Sequence, residues 1–364
     1  MESERIRERA LHLLSVFSEA HGVSGFEGRV RGIFREEIGT DAHVDGMGNI
    51  LCPKRGTSDA PVVMLAAHMD EVGFMVQSVA RSGLIKFLPL GGWWAHAILG
   101  QRVRILTREN GEIPGVIGAK PPHFLGENER DKVMKFEDLF IDIGAASAEE
   151  VRDRFGVRLG DSIAPESGFA PLGNPEFLVG KAFDDRAGLA LMTQVLGELE
   201  NTSHPNTVYG VGTVQEEVGT RGAQTAPHSV NPDVAIVLEA APADDLPSVP
   251  EDERQGALGS GPQIRIMDPS AMMNRNLVRY ARELAEARNI PHQMAVRRSG
   301  GTDARPIHLH ARGVPTMVLG IPARYIHTYN SILCIRDYLS AFDLVMKLVE
   351  SLDSDTVERL SAFD

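Results

Sequence analysis

Residues 61–70 read PVVMLAAHMD. A short apolar run with β-branched residues fits a strand buried on both faces, the kind found inside a parallel sheet. The run ends on His68, and Asp70 follows two residues later. Sites in α/β sheets form at strand ends. One ring nitrogen of such a histidine binds a metal while the other donates to a carboxylate that fixes its tautomer. Taken alone, the pair reads more simply as a polar strand terminus.

On the N-terminal side, residues 3–20 predict an amphipathic helix stopped near Gly22. Residues 25–38 predict a second, with Ser24 or Gly25 near its start. HVDGMGNILCP (43–53) reads as strand, turn and strand. On the C-terminal side the character changes from about Gly73 to Ile163. FMVQSVA, LIKFLPL, RVRILT and GVIGA are short β-type segments between Gly and Pro turns, and helical periodicity returns only at SAEEVRDRF (147–155). After residue 176 strands and helices alternate again. FLVGKAF leads into a helix at 185–199, and TVYGVGTV and DVAIVLE are strands. Residues 270–288 and 303–311 read as helices, MAVRR and PTMVLGI as strands, and 337–353 as a C-terminal helix. The expected organisation is one α/β domain, residues 1–72 plus 164–364, interrupted by a small all-β insert at 73–163.

The chain has 364 residues, 43 % hydrophobic and 24 % charged, as in ordinary globular proteins. With 37 Lys+Arg against 50 Asp+Glu its formal net charge is -13. That balance argues against nucleic acid and against anionic membrane surfaces as partners. No apolar run is long enough to span a bilayer, and MESERIRERALHLLSVF lacks the order of a signal peptide. Two cysteines far apart, Cys52 and Cys334, fit a reducing compartment. The expected location is the cytoplasm.

Acidic residues recur at the ends of predicted strands. Asp184-Asp185 follows FLVGKAF and opens a helix, where N-capping is the simpler role for either. Glu216-Glu217 follows TVYGVGTV and Gln215. Adjacent carboxylates repel, so holding both there calls for cations or protons. Glu239 follows DVAIVL, and His327 lies in PARYIHTYNS after PTMVLGI. Five elements thus end with a histidine or carboxylate near one sheet edge. Mixed imidazole and carboxylate ligands suit zinc, cobalt or manganese, and no Cys pairs exist for a thiolate site.

At this point the chain resembles the M42 family of metallo-aminopeptidases, the glutamyl and tetrahedral aminopeptidase group. The matching segments are AAHMDEVGF, GGWW with LGQRVRI, GVIGAKPPH, GKAFDDRAG, QEEVGTRGA, VLEAAPADDLP, LGSGPQI, SGGTDA and GVPTMVLGIPARYIHT. They run in the family's order over nearly the whole chain. The resemblance implies a mixed-sheet catalytic domain flanked by helices, with a β-rich insert that serves assembly. It implies two divalent metal ions per subunit, zinc first and cobalt or manganese as alternatives. His68 and Glu239 would bind one, Glu217 and His327 the other, and Asp184 would bridge them. Many members have Asp at the position of Glu239. Asp70 would orient His68, Glu216 would be the general base, and Asp185 would be structural. The implied activity is removal of N-terminal residues from short peptides. The implied assembly is a homo-oligomer, often a tetrahedral dodecamer.

Two-metal carboxypeptidases and N-acyl amino-acid deacylases share the His, Asp, Glu-Glu, acid, His order. Their extra domain lies between the Glu-Glu pair and the last His, whereas the insert here lies between His68 and Asp184. A glycoside hydrolase needs a pair of free carboxylates that metals would occupy here. A non-catalytic relative would be expected to lose a ligand or the base, and all are present. SGGTDA (299–304) reads as a turn with an N-cap, or as a loop lining the substrate pocket. His123 would reach a neighbouring subunit's site or lie on the surface, and His96, His308 and His310 are read as ordinary residues without a functional role. Arg221, Arg297, Arg298, Arg305 and Arg324 lie near the motifs as candidate partners for acidic substrates.

Overall fold

The run at 61–70 forms the strand Val62–His68, whose residues from Val63 onward are buried. The description covers residues 2–39, 41–126 and 132–362 of a computed structural model. Val62–His68 lies between Thr207–Thr213 and Val234–Pro242, parallel to both, and Thr316–Arg324 continues the parallel set. Antiparallel strands extend it, Ile50–Arg55 on one side and Ser331–Cys334 with Phe177–Gly180 on the other. Gln263–Asp268 pairs antiparallel with Thr316–Arg324. The result, among the described residues, is a twelve-stranded mixed sheet.

A parallel sheet buries both faces and needs helices to cover it. Phe183–Glu198 does this most completely: every residue from Asp185 to Leu196 is buried. It packs against the sheet, against Glu2–Glu19 and against Ile335–Ser351. One hydrophobic core joins these helices to the sheet.

The segment between His68 and Asp184 holds a different object. Gly73–Val79, Ile85–Leu90, Leu139–Asp142, Gly111–Ala119, Arg102–Thr107 and Ser162–Pro165 close in that order into an antiparallel barrel. Its own core contains Phe74, Ile105, Ile117, Leu139, Ile141 and Ile163. Closure leaves no free strand edge.

Met69–Val72 connects sheet to barrel, and Glu71 pins that passage. Its buried carboxylate takes Lys181 Nζ at 2.7 and 2.5 Å, accepts the Gly22 N–H at 3.2 Å, and lies 3.4 Å from Arg186 Nη2. Lys181 and Arg186 are buried as well.

Three helices depart from expectation. The second begins at Gly28, because Gly25 turns with positive φ and its N–H is taken by the Glu27 carboxylate. The segment 270–288 divides: Ala271–Met272 pairs with the end of Gln263–Asp268, and the helix runs Arg275–Ala287 from an Asn274 cap. The segment 303–311 keeps only Ala304–Ile307, since the chain then leaves through turns closed by His310 and Gly313. Ile335–Ser351 is followed by a separate helix, Ser354–Ser361, capped by Asp353. Cys52 and Cys334 are buried and unpaired. Among the described residues, no helix is long and apolar enough to cross a membrane.

Candidate active site

The parallel strands end together. Thr213 stands beside His68, and Glu239 beside Gly320. Glu239 lies within its strand, Val234–Pro242, rather than after it. Into this edge the start of Phe183–Glu198 brings Asp184, whose backbone is not helical.

Asp184 separates the two imidazoles. Its Oδ1 lies 3.1 Å from His68 Nε2, and its Oδ2 lies 3.2 Å from His327 Nε2. Glu239 Oε1 is 3.6 Å from His68 Nε2, and Glu217 Oε2 is 3.4 Å from His327 Nε2. The ligand atoms of His68, Asp184 and Glu239 all lie within 4.8 Å of one another, as do those of Asp184, Glu217 and His327. Each triad has the atoms and spacing to hold a cation, with Asp184 common to both.

A ring of supports holds these groups. Asp70 is buried; its Oδ1 accepts the N–H of Glu216 at 2.9 Å, and its Oδ2 accepts the N–H of Glu217 at 3.1 Å and the Ser24 hydroxyl at 2.6 Å. The His68 Nδ1–H is closer to the Asp70 carbonyl (3.0 Å) than to its carboxylate (3.4 Å). Asp185 turns away from the cavity and accepts the N–H groups of His68 (3.2 Å) and Gly188 (3.0 Å). It therefore caps the helix, while Asp184 faces the imidazoles. The Nδ1–H of His327 donates to the Gly92 carbonyl at 2.8 Å.

Crowding raises proton affinity. Burial first, and neighbouring acids second, push Glu217 up to about 8 and Glu239 to about 7 against the nearby imidazoles. Burial carries Glu216 well above its ordinary value, with Asp303 adding to it. Burial disfavours charge on His327, yet Asp184 and Glu217 raise it to about 10. Hydrogen bonds from His327 and His68 overcome burial at Asp184 and hold it well below the carboxylate range. Glu217 Oε1 is buried without a hydrogen-bond partner. Two triads of imidazole and carboxylate, with this buried acceptor left bare, form a donor set that fits cations.

A cavity of about 330 Å³ opens on this cluster, lined by Asp184, Glu216, Glu217, Glu239 and His327 and walled by Gly300, Gly301 and Thr302. The SGGTDA segment thus lines the pocket, and Asp303 gives its helix no side-chain cap. Instead buried Asp303 accepts the Thr213 hydroxyl and is pushed up to about 6, mainly by burial. Of the five arginines near the motifs, Arg297 and Arg305 line the cavity. Arg221 bonds Gln215, Arg298 lies near Glu253, and Arg324 grips Asp245. His123 is exposed. His96 stacks edge-on to Trp94, His310 edge-on to His228, and His308 bonds the Ala304 carbonyl. Sequence reasoning missed Arg265, a buried lining residue, and the Gly92 carbonyl. A charged residue inside the strand QIRIMD was the one available signal for Arg265.

Residues 48–344 match the profile of the family described as M42 glutamyl aminopeptidase. The chain is 38 % identical over 356 residues to the putative aminopeptidase FrvX of Escherichia coli K12, covering 97 % of this chain and 98 % of that protein. Among solved structures, the TET aminopeptidase from a marine sediment archaeon superposes with a TM-score of 0.92 at 40 % identity, covering 97 % of this chain and 99 % of the other. The Pyrococcus horikoshii TET1 peptidase, described as assembling into a tetrahedron or a large octahedral shell, superposes with a TM-score of 0.83 at 30 % identity, covering 94 % and 100 %.

Proposed function

Because the chain belongs to the M42 glutamyl aminopeptidase family, we propose that it removes N-terminal residues from short peptides by two-metal hydrolysis at the Asp184 cluster. The observation that carries this reading is the split of Asp184, one oxygen toward each imidazole. His68 and Glu239 would hold one divalent cation, Glu217 and His327 the other, and Asp184 both. Zinc suits the mixed donors best, with cobalt or manganese as substitutes. Bound there, such a pair acidifies a shared water and polarises the scissile carbonyl.

The protein's own groups do the rest. Glu216 lines the cavity beside the cluster, its backbone fixed by Asp70. As general base it takes a proton from the water and returns it to the departing amine. Burial raises its proton affinity, the direction that suits a general base. Asp70 and Asp185 position His68, and Gly300–Thr302 confine the substrate.

The wall favours an acidic first side chain. Arg265 and Arg297 are both buried there, Arg265 paired with Asp268 at 3.0 Å and Arg297 lying 3.7 Å from Asp244, and Arg265 Nε has no hydrogen-bond partner. Exposed Arg305 adds a third cation. A substrate carboxylate would meet the bare Arg265 donor and the charge of Arg305.

The division into 1–72, 73–163 and 164–364 treats the barrel as an insert for assembly. Leu88, Trp94, Val116 and Phe124 are exposed on the barrel and its loops, which supports a homo-oligomer, with a tetrahedral dodecamer as the form. Unpaired buried cysteines support a cytoplasmic location.

The test is metal content together with hydrolysis of aminoacyl p-nitroanilides. Two cations per chain and cleavage of free-amine but not N-acetylated substrates are expected, with Glu ahead of Lys. Equal cleavage of the acetylated compounds would sink the assignment.

A further inference from the structure

The two histidines of the cluster are oriented by different bodies. His68 takes its orientation from its own strand extension, through the Asp70 carbonyl. His327 takes its orientation from the barrel, through the Gly92 carbonyl on the loop after Ile85–Leu90. Resting on the two-cation reading, we propose that Gly91–Trp93 is a positioning element for the His327 half alone, so that barrel packing sets how firmly that half holds its cation.

Three observations carry this. With Nδ1–H engaged by Gly92, the Nε2 lone pair faces Asp184 and Glu217. The loop also packs so closely on this half that a side chain would push against its ligands. A Cβ on Gly92 would stand 3.1 Å from His327 Nδ1, and one on Gly91 would stand 3.3 Å from Glu217 Oε2. Finally, the loop is anchored from both sides. The Trp93 indole N–H donates to the Gly73 carbonyl at 3.1 Å, and its ring stacks on Phe74 with centroids 4.9 Å apart. The same ring lies 5.7 Å from Tyr329, which is buried two residues beyond His327. Tyr325 and His327 both have left-handed φ, 60° and 56°. Non-glycine residues persist there only when their surroundings hold them.

The experiment is a cobalt(II) titration of the metal-free full chain, followed by visible absorption and by competition with a chelator. Wild type should take up two ions. Gly92→Ala keeps the carbonyl but sets a Cβ against the imidazole, and the displaced ring should weaken one of them by about 10–100-fold, as disturbing an outer hydrogen bond to a ligand does, and change the spectrum of that ion only. Gly92 has no positive φ, so alanine meets the imidazole rather than a backbone barrier. Trp93→Phe keeps the stack, loses the bond to Gly73, and should act on the same ion more weakly. If Gly92→Ala does not fold by circular dichroism, Trp93→Phe carries the test under the same criterion. Unchanged affinities, or equal weakening of both ions, overturn the proposal. Wild type that takes up fewer than two ions overturns the two-cation reading itself, and the stoichiometry tells the two failures apart.

Discussion

Asp70 accepts the N–H of Glu216 and of Glu217, so one buried carboxylate fixes two adjacent acids in different directions. Glu217 joins the His327 triad and Glu216 does not. Glu216→Gln should therefore keep both cations and lower kcat by about 10²–10⁴-fold, the span of general acid–base catalysis. Elemental analysis beside steady-state rates decides it, and full turnover would end the base assignment. Arg297→Met should reduce kcat/KM for a glutamyl substrate about tenfold or more, as loss of a charged hydrogen bond does, and leave a leucyl substrate nearly unchanged. The histidines and acids of the cluster are legible in sequence because each lies at or near the end of an apolar strand. Arg265 is not, because it reaches the cavity only through antiparallel pairing of its strand with Thr316–Arg324. Gly92 is not, because it acts through a carbonyl that every residue carries.

Among elements, the link between Val62–His68 and Gly73–Val79 is held by a buried ion-pair cluster. Glu71 sits there among Lys181 and Arg186, all buried. Glu71→Ala strands two cations without their partner and should destabilise the fold by about 3–5 kcal/mol. Denaturant unfolding measures this, and a change under 1 kcal/mol would mean that water compensates the pair. Apolar runs made the parallel strands readable to within three residues. In the barrel, Leu139–Asp142 and Ser162–Pro165 went unread and Gly111–Ala119 starts earlier than GVIGA, because short strands among turns carry little apolar pattern. The helix ends were less so. Where Asn274 or Asp353 starts a helix, a side-chain cap sets the boundary, and neighbouring turns decide whether it is used. The extent of Ala304–Ile307 depends on the turns that follow it, which periodicity does not encode.

For the whole molecule, the crowded site couples stability to pH. Glu217 and Glu239 hold protons up to about 8 and about 7, above the ordinary value of 4.5. His327 does so up to about 10, above 6.5. Folded affinities raised in this way stabilise at low pH and lose that contribution as pH rises through them. Asp184, shifted the other way, matters only in strong acid. The melting temperature of metal-free protein should thus fall between pH 5 and pH 8, and zinc should restore it most at the upper end. Calorimetry across that interval checks the sign, and a rising melting temperature without metal would contradict it. The two-body architecture was readable because a buried sheet strand and a Gly-punctuated β series differ so plainly in pattern. The contact between the bodies was not, because it joins residues 92 and 327.

The chain has two tryptophans, Trp93 and Trp94. Trp93 lies against Tyr329 while Trp94 is exposed. The protein therefore carries an optical gauge beside its own chemistry. In a Trp94→Phe background, emission excited by light absorbed by tryptophan alone reports on Trp93, which follows the residue whose carbonyl holds His327. The intensity of that emission should follow the filling of the cluster in real time, without any attached dye.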